Sequence, residues 1–208
     1  KINNMYLGSE YSEKEILNAI KNYKLNYSKP KEIEKKIALI LSEGKVVAHF
    51  NGKMEFGPRA LGNRSILSSA SDPNINKTLN DKLSRTEFMP FAPIVLDKHA
   101  KRYFYINKLS DYKFMTYTCD CKKLMLKEAP ASVHIDKTAR PQIVLKNENS
   151  RLFKILTEYK KITKISALIN TSFNMHEEPI VCSPSDAIRG FLRGNLDHLV
   201  LGKYIVVR

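Results

Sequence analysis

The sequence is short of cysteine, of long apolar runs and of acidic residues, and each shortage excludes something. Three cysteines (Cys119, Cys121 and Cys182) in 208 residues are too few for a disulfide scaffold and suit a reducing, cytoplasmic setting. No stretch approaches the ~20 apolar residues that cross a membrane as a helix. The opening Lys1-Ile2-Asn3-Asn4 carries neither a secretory pattern nor an initiator Met, so the chain reads as a piece of a longer protein. Asp and Glu number 21 against 35 Lys and Arg, for a formal charge of +14. A surplus of that size raises nucleic acid as a partner. Arginine, however, is scarce: 9 residues against 26 lysines, alongside 19 Ile and 16 Asn, a bias that AT-rich codons alone produce. The charge is also spread, with +3 over residues 1–50, +5 over 51–110, +2 over 111–150 and +4 over 151–208. Neither nucleic acid nor a membrane is therefore the expected partner. At 43% hydrophobic and 27% charged the composition is that of a folded domain, and the length allows one such domain plus an extension.

Local patterns divide the chain. Residues 1–11 read as a tail. Ser12-Glu13-Lys14-Glu15 is a capping box that opens a helix over about 12–24. Pro30 opens a second helix, with Ile33, Ile37, Ile40 and Leu41 on one face and Gly44 as its stop. Lys45–Phe50 reads as a strand, followed by a Gly-rich polar loop over 51–63. Asp72-Pro73 starts a helix to Leu83, and Phe91–Leu96 is a strand. Lys113–Cys119 alternates like a strand. Ser132–Asp136 and Gln142–Leu145 are two further candidates. Ser150 is expected to cap a helix, Ile165–Ile169 is a buried strand, Ser183-Pro184 begins a helix ended by Gly194, and Leu199–Val207 is a last strand. Alternation of helix and strand makes the class α/β with a mixed sheet. The stretch 1–30 is the expected linker.

Four segments could carry chemistry. Glu55-Phe56-Gly57-Pro58-Arg59-Ala60-Leu61-Gly62-Asn63-Arg64-Ser65 follows a strand and concentrates Gly, which admits close backbone approach, with Arg59 and Arg64, whose planar forks suit phosphate or carboxylate. Its Gly spacing mimics a phosphate loop, but Asn63 and Arg64 stand where a Lys must follow the second Gly, which excludes a Walker-type site. In the second segment, a buried strand empties into Asn170-Thr171-Ser172-Phe173-Asn174, small polar groups at a strand's carboxyl end. The third, His134-Ile135-Asp136-Lys137-Thr138-Ala139-Arg140, puts His134 and Asp136 on one face if it is a strand. Two ligands are too few for a protein-held metal, and Cys119-x-Cys121 lacks zinc spacing. Arg140 is a third candidate anion ligand. In the fourth, Lys82 and Arg85 precede Phe88-Met89-Pro90-Phe91-Ala92-Pro93 and could face a phosphate.

Taken together and in this order, Met54–Leu67, Pro90-Phe91-Ala92-Pro93, the His134–Arg140 block, Asn170–Asn174 and Glu178-Pro179-Ile180 resemble the C-terminal domain of the NodU/TobZ-type carbamoyltransferases, from about residue 36 onward. The resemblance implies a YrdC-like α/β domain over residues 31–208, with a twisted mixed β-sheet flanked by helices. It implies that carbamoyl phosphate and ATP, with Mg²⁺ accompanying the ATP, are turned into carbamoyl-adenylate. A separate N-terminal domain of ASKHA type, which would hold the iron, passes the carbamoyl group to a hydroxyl of the acceptor. Residues 1–30 would then be the tail of that domain. On this footing Arg140, Ser172 and Asn174 are the expected catalytic residues. Arg59, Arg64, Ser65, Lys82, Arg85, His134, Asp136, Asn170 and Thr171 are the expected binding residues. The alternative is a YrdC-like nucleotide- or RNA-binding module without catalysis of its own. The chain departs from the family pattern at Leu83, Met89, Lys137 and Glu177, the last two standing where glycine is often found.

Overall fold

The computed structural model describes residues 4–84 and 91–207. Ten strands and seven helices are found there. An eight-stranded mixed sheet runs in the order β1 (Tyr27–Ser28), β10 (Tyr204–Val207), β9 (His198–Leu201), β2 (Val47–Phe50), β3 (Arg64–Ser69), β8 (Ala167–Ser172), β4 (Ala92–Leu96) and β7 (Gln142–Val144). The β2–β9 and β4–β7 pairs are parallel and the others antiparallel. A small pair, β5 (Cys119–Asp120) with β6 (Thr138–Ala139), stands apart.

The period-2 alternation of strand side chains builds two cores, one on each face of the sheet. On one face Val47, Leu67, Ile94, Leu168 and Val200 pack with α2 (Ile33–Ser42) and α6 (Ser150–Thr163) through Ile37, Leu41, Leu152 and Ile155. On the other, Val46, Ala48, Phe50, Ile66, Ile169 and Leu199 pack with α1 (Glu13–Asn22), α3 (Ile75–Lys82) and α7 (Pro184–Arg193). Capping fixes where these helices begin. Ser12 closes a capping box with Glu15, and Ser183 closes one with Asp186. Helix α6 is capped by Asn149 rather than Ser150: the Asn149 side chain accepts from the N–H of Leu152 at 3.0 Å. The short helices α4 (Asp97–Tyr103) and α5 (Lys123–Glu128) lie beyond β4 in the chain. No helix among the described residues is long and apolar enough to cross a membrane.

Several expectations are corrected. Described residues of the 1–30 stretch are integral to the domain, not a linker. Ile16, Ala19 and Ile20 of α1 are buried in the core, and Tyr27 and Ser28 extend the sheet by pairing with β10. Even the tail is tied down: Gly8 N donates to Met54 O at 2.9 Å, Met54 N to Ser9 O at 2.8 Å and Phe56 N to Met5 O at 2.7 Å. Of residues 113–119 only Cys119 finds a strand partner. The stretch 132–136 forms no strand: Pro130–Ser132 is a 3-10 turn, and the Lys137 N–H turns back to His134 O at 2.9 Å. Residues 199–207 are two strands joined at Gly202, whose positive φ of 55° permits the tight reversal.

Candidate active site

The carboxyl end of β8 opens into a pocket of about 270 Å³ lined by Arg59, Ala92, Arg140, Asn170, Ser172 and Asn174, among others. Each wall has a cause in the sequence. One wall is the 55–64 loop, held from beneath by its own first residue. Glu55 is buried, and its Oε1 accepts the N–H groups of Leu61 at 2.6 Å, Asn63 at 2.7 Å and Arg64 at 3.3 Å. Burial pushes this carboxyl upward, and the three N–H groups pull it back. Gly62 is required at the far end, because a Cβ there would lie 2.6 Å from Leu152 Cδ2 and φ is +115°. The loop thus shaped carries Pro58, Arg59 and Ala60 into the pocket wall.

The facing wall is Arg140, between β6 and β7. The turn before it winds around Thr138: Asp136 Oδ1 accepts from Thr138 N at 2.9 Å and from its hydroxyl at 2.7 Å, and His134 Nδ1 lies 3.1 Å from that hydroxyl. The Thr138 N–H and hydroxyl hold the Asp136 carboxyl below the usual range. Arg140 is half-buried. Burial first, and Arg59 second, disfavour its charge, and its Nε is buried without a partner among the described residues. Neither Arg59 nor Arg140 forms an ion pair with a carboxylate among the described residues. Glu177, which also lines the pocket, lies 4.0 Å from His176 instead.

The floor is β8. Ser172 Oγ donates to Asn174 Oδ1 at 2.6 Å, and Asn174 Nδ2 donates to Glu178 O at 2.9 Å, so hydroxyl and amide orient one another. Asn170 is 1% exposed and donates through Nδ2 to Ala60 O at 3.0 Å and to Gln142 Oε1 at 2.9 Å. Thr171 completes this strand end.

The pocket therefore gathers Arg59, Arg140, Asn170, Thr171, Ser172 and Asn174. It does not gather the rest. Arg64 is fully buried and is spent on backbone carbonyls, donating to Asn51 O at 3.0 Å, Gly52 O at 3.2 Å, Asn63 O at 3.0 Å and Ser9 O at 3.1 Å, with its guanidinium 3.6 Å above the Phe50 ring. Ser65 is buried, and its Oγ accepts from Gly62 N at 2.9 Å. Lys82 turns to Asn195 O at 2.6 Å and Asp197 at 3.4 Å. His134 and Asp136 support the turn before Arg140 and do not line the pocket. Arg85 lies outside the described residues, as do Phe88, Met89 and Pro90. Lys137 and Glu177 both adopt left-handed backbone, with φ of 64° and 60°, the conformation that glycine would take without strain. Among the described residues no group of three His, Cys, Asp or Glu side chains could hold a metal ion. Two residues went unread from sequence: Glu55 as the loop's anchor, and Gln142.

An eight-stranded mixed sheet with helices on both faces is the YrdC-like α/β fold, and an arginine-lined pocket opens here at a strand's carboxyl end. Full-length HypF, solved in a phosphate- and nucleotide-bound form, superposes with a TM-score of 0.58 over 84% of this chain and 25% of that one, at 21% identity. Sua5 of P. abyssi, solved with L-threonine, gives 0.55 over 81% of this chain and 46% of that one, at 13% identity. Residues 38–208 match the family described as carbamoyltransferase C-terminus, and the chain belongs to that family. An uncharacterized protein of Methanocaldococcus jannaschii is 40% identical over 99% of this chain and 41% of its own length. Nodulation protein NolO of Bradyrhizobium diazoefficiens is 35% identical over 96% of this chain and 37% of its own. The chain thus spans less than half the length of these relatives.

Proposed function

We infer that this carbamoyltransferase C-terminal domain binds carbamoyl phosphate and ATP in the β8 pocket and forms carbamoyl-adenylate there. The observation that carries the reading is the pair Arg59 and Arg140: two guanidinium groups face one small pocket without a carboxylate partner among the described residues, one of them with a buried, unpaired Nε. Two cations held close together and partly desolvated disfavour each other, and an anion between them removes that cost. The volume, about 270 Å³ and just below the roughly 300 Å³ where ligand pockets begin, fits carbamoyl phosphate, with the nucleotide reaching it from the pocket mouth by its phosphates.

The chemistry asked of the chain is mostly placement. Water takes the phosphoryl group of carbamoyl phosphate, so that the P–O bond breaks and carbamate and inorganic phosphate form; a carbamate oxygen then attacks the α-phosphorus of ATP. Carbamoyl-adenylate forms and pyrophosphate leaves. That oxygen is already deprotonated, so no general base is assigned. Arg59 and Arg140 offset the charge of two anionic substrates and of the phosphoryl oxygens in the transition state. Ser172 and Asn174 orient the reacting groups. Mg²⁺ comes with the nucleotide, with phosphate oxygens and water as its ligands. Transfer of the carbamoyl group to an acceptor hydroxyl belongs to another domain.

The test is carbamoyl-phosphate-dependent exchange of labelled pyrophosphate into ATP by the full chain. Exchange is expected, reduced about 10²-fold or more in Arg140→Ala and Ser172→Ala. Normal exchange in both variants removes the site assignment. Nucleotide binding without exchange by the folded wild type leaves a nucleotide-binding module.

A further inference from the structure

Asn170 and Gln142 form a relay whose direction is fixed at both ends by the backbone. Asn170, on β8, and Gln142, on β7, point to the same face of the sheet and meet across β4, where Ala92 pairs with Asn170 and leaves room for the two amides. Gln142 donates through Nε2 to Leu61 O at 2.8 Å, and Asn170 donates through Nδ2 to Ala60 O at 3.0 Å. A carbonyl only accepts, so each contact requires the NH₂ side of its amide. Gln142 must then turn its oxygen to Asn170, which it does, accepting from Nδ2 at 2.9 Å. Neither amide can flip without setting oxygen against oxygen. The consequence falls on the one atom left over. Asn170 Oδ1 is held as an acceptor, is buried, and has no hydrogen-bond partner among the described residues, on a residue that lines the pocket. A buried acceptor without a donor is costly and rare.

We propose that Asn170 Oδ1, locked as an acceptor by the positioning residue Gln142, receives an N–H of the bound ligand and makes the pocket selective for a carbamoyl group over an acyl group of the same shape. This rests on the reading of the pocket as a carbamoyl phosphate site. The two arginines recognise an anion, and any phosphate or carboxylate satisfies them. The fixed acceptor adds a demand for a donor beside that anion. A carbamoyl NH₂ meets the demand, whereas the methyl group of an acetyl ester, nearly equal in size, leaves the acceptor unpaired.

The test is calorimetric titration of the full chain with carbamoyl phosphate, acetyl phosphate and inorganic phosphate. Wild type is expected to bind carbamoyl phosphate ~10–100-fold tighter than acetyl phosphate. Asn170→Leu should bring the ratio close to unity by weakening carbamoyl phosphate more than acetyl phosphate or inorganic phosphate. Gln142→Met, which removes the lock but keeps the acceptor, should lower the ratio by a smaller factor. Equal binding of the two esters by wild type overturns the inference and leaves the anion site standing. Binding of none of the three overturns the underlying reading of the pocket. The wild-type ratio and Gln142→Met decide the matter even if Asn170→Leu does not fold.

Discussion

Arg59 and Arg64 stand on the same loop, five positions apart, and do opposite things. Arg64 begins β3, so the pleat turns its side chain into the fold, where four carbonyls and the Phe50 ring receive it. Arg59 lies on the outward bend between Gly57 and Gly62 and reaches the pocket with no partner of its own among the described residues. The same guanidinium is glue in one place and a recognition element in the other, and what decides is whether the protein has already used its donors. The sharpest way to break the comparison is to remove the glue. Arg64→Met keeps the bulk but takes a donor from four carbonyls, of which Ser9 O and Asn63 O keep a backbone N–H, and leaves Glu55 without its nearby charge. The expected loss is about 3–5 kcal/mol by chemical denaturation, with Arg64→Lys recovering only part, since an ammonium lacks the fork. A change below about 1 kcal/mol would place Arg64 with Arg59 instead.

The closed side of the loop has a second signature. His49, on β2, is fully buried with Nδ1 2.5 Å from Gly62 O, so Nδ1 carries the proton and donates. Burial, then the charge of Arg151, pushes its pKa from 6.5 down to about 3. The unfolded chain therefore takes up a proton near pH 6.5 that the folded chain refuses until near pH 3, and stability falls as pH falls through that window. A loss of roughly 2–3 kcal/mol is expected between pH 6.5 and about pH 4.5. His49→Gln, which keeps a donor for Gly62 O, should flatten this slope, as measured by denaturation at several pH values. An unchanged slope in that variant assigns the pH dependence to other groups.

Legibility in the sequence followed the same division between local and non-local causes. Helices α1, α2, α6 and α7 were readable because caps and apolar spacing are local, and the strands β2, β4 and β8 because their cores are apolar. Strand β3 was not read: Arg64-Ser65-Ile66-Leu67-Ser68-Ser69 looks like a polar loop, and it becomes a central strand because β2 and β8 supply ladders on both sides while Ile66 and Leu67 enter opposite cores. Lys113–Cys119 alternates as a strand does, yet nearly all of it has no neighbour to pair with. At the site, Arg59, Arg140, Asn170, Ser172 and Asn174 were nominated from residue chemistry and converge on one pocket. Arg64, Ser65 and Lys82 were nominated on the same grounds and point elsewhere: composition does not say which way the pleat of β3 turns Arg64 and Ser65, nor that Lys82, ending α3, meets Asn195 and Asp197. Glu55 escaped notice because its partners are backbone groups, and Gln142 because its partners, a backbone carbonyl and the Asn170 amide, are far off in sequence. Gln142 meets Leu61 across 81 positions of sequence, and no motif encodes a carbonyl.

The other half of the comparison predicts smaller effects, on affinity rather than stability. Arg140→Ala should weaken carbamoyl phosphate binding ~100-fold, and Arg59→Ala, an exposed side chain whose contact with the anion is screened by water, about tenfold. Neither substitution should cost stability beyond ~0.5 kcal/mol. Arg140→Ala should gain slightly, because it removes a cation that burial first and Arg59 second disfavour. The double variant sharpens the point. If the two arginines share one anion, the second removal costs less than the first, since a lone cation no longer completes the clamp, and the double variant loses less than the sum of the two single losses. Fully additive losses would mean two separate anions, and no loss from Arg59→Ala would mean that the bend carries an arginine the ligand never meets.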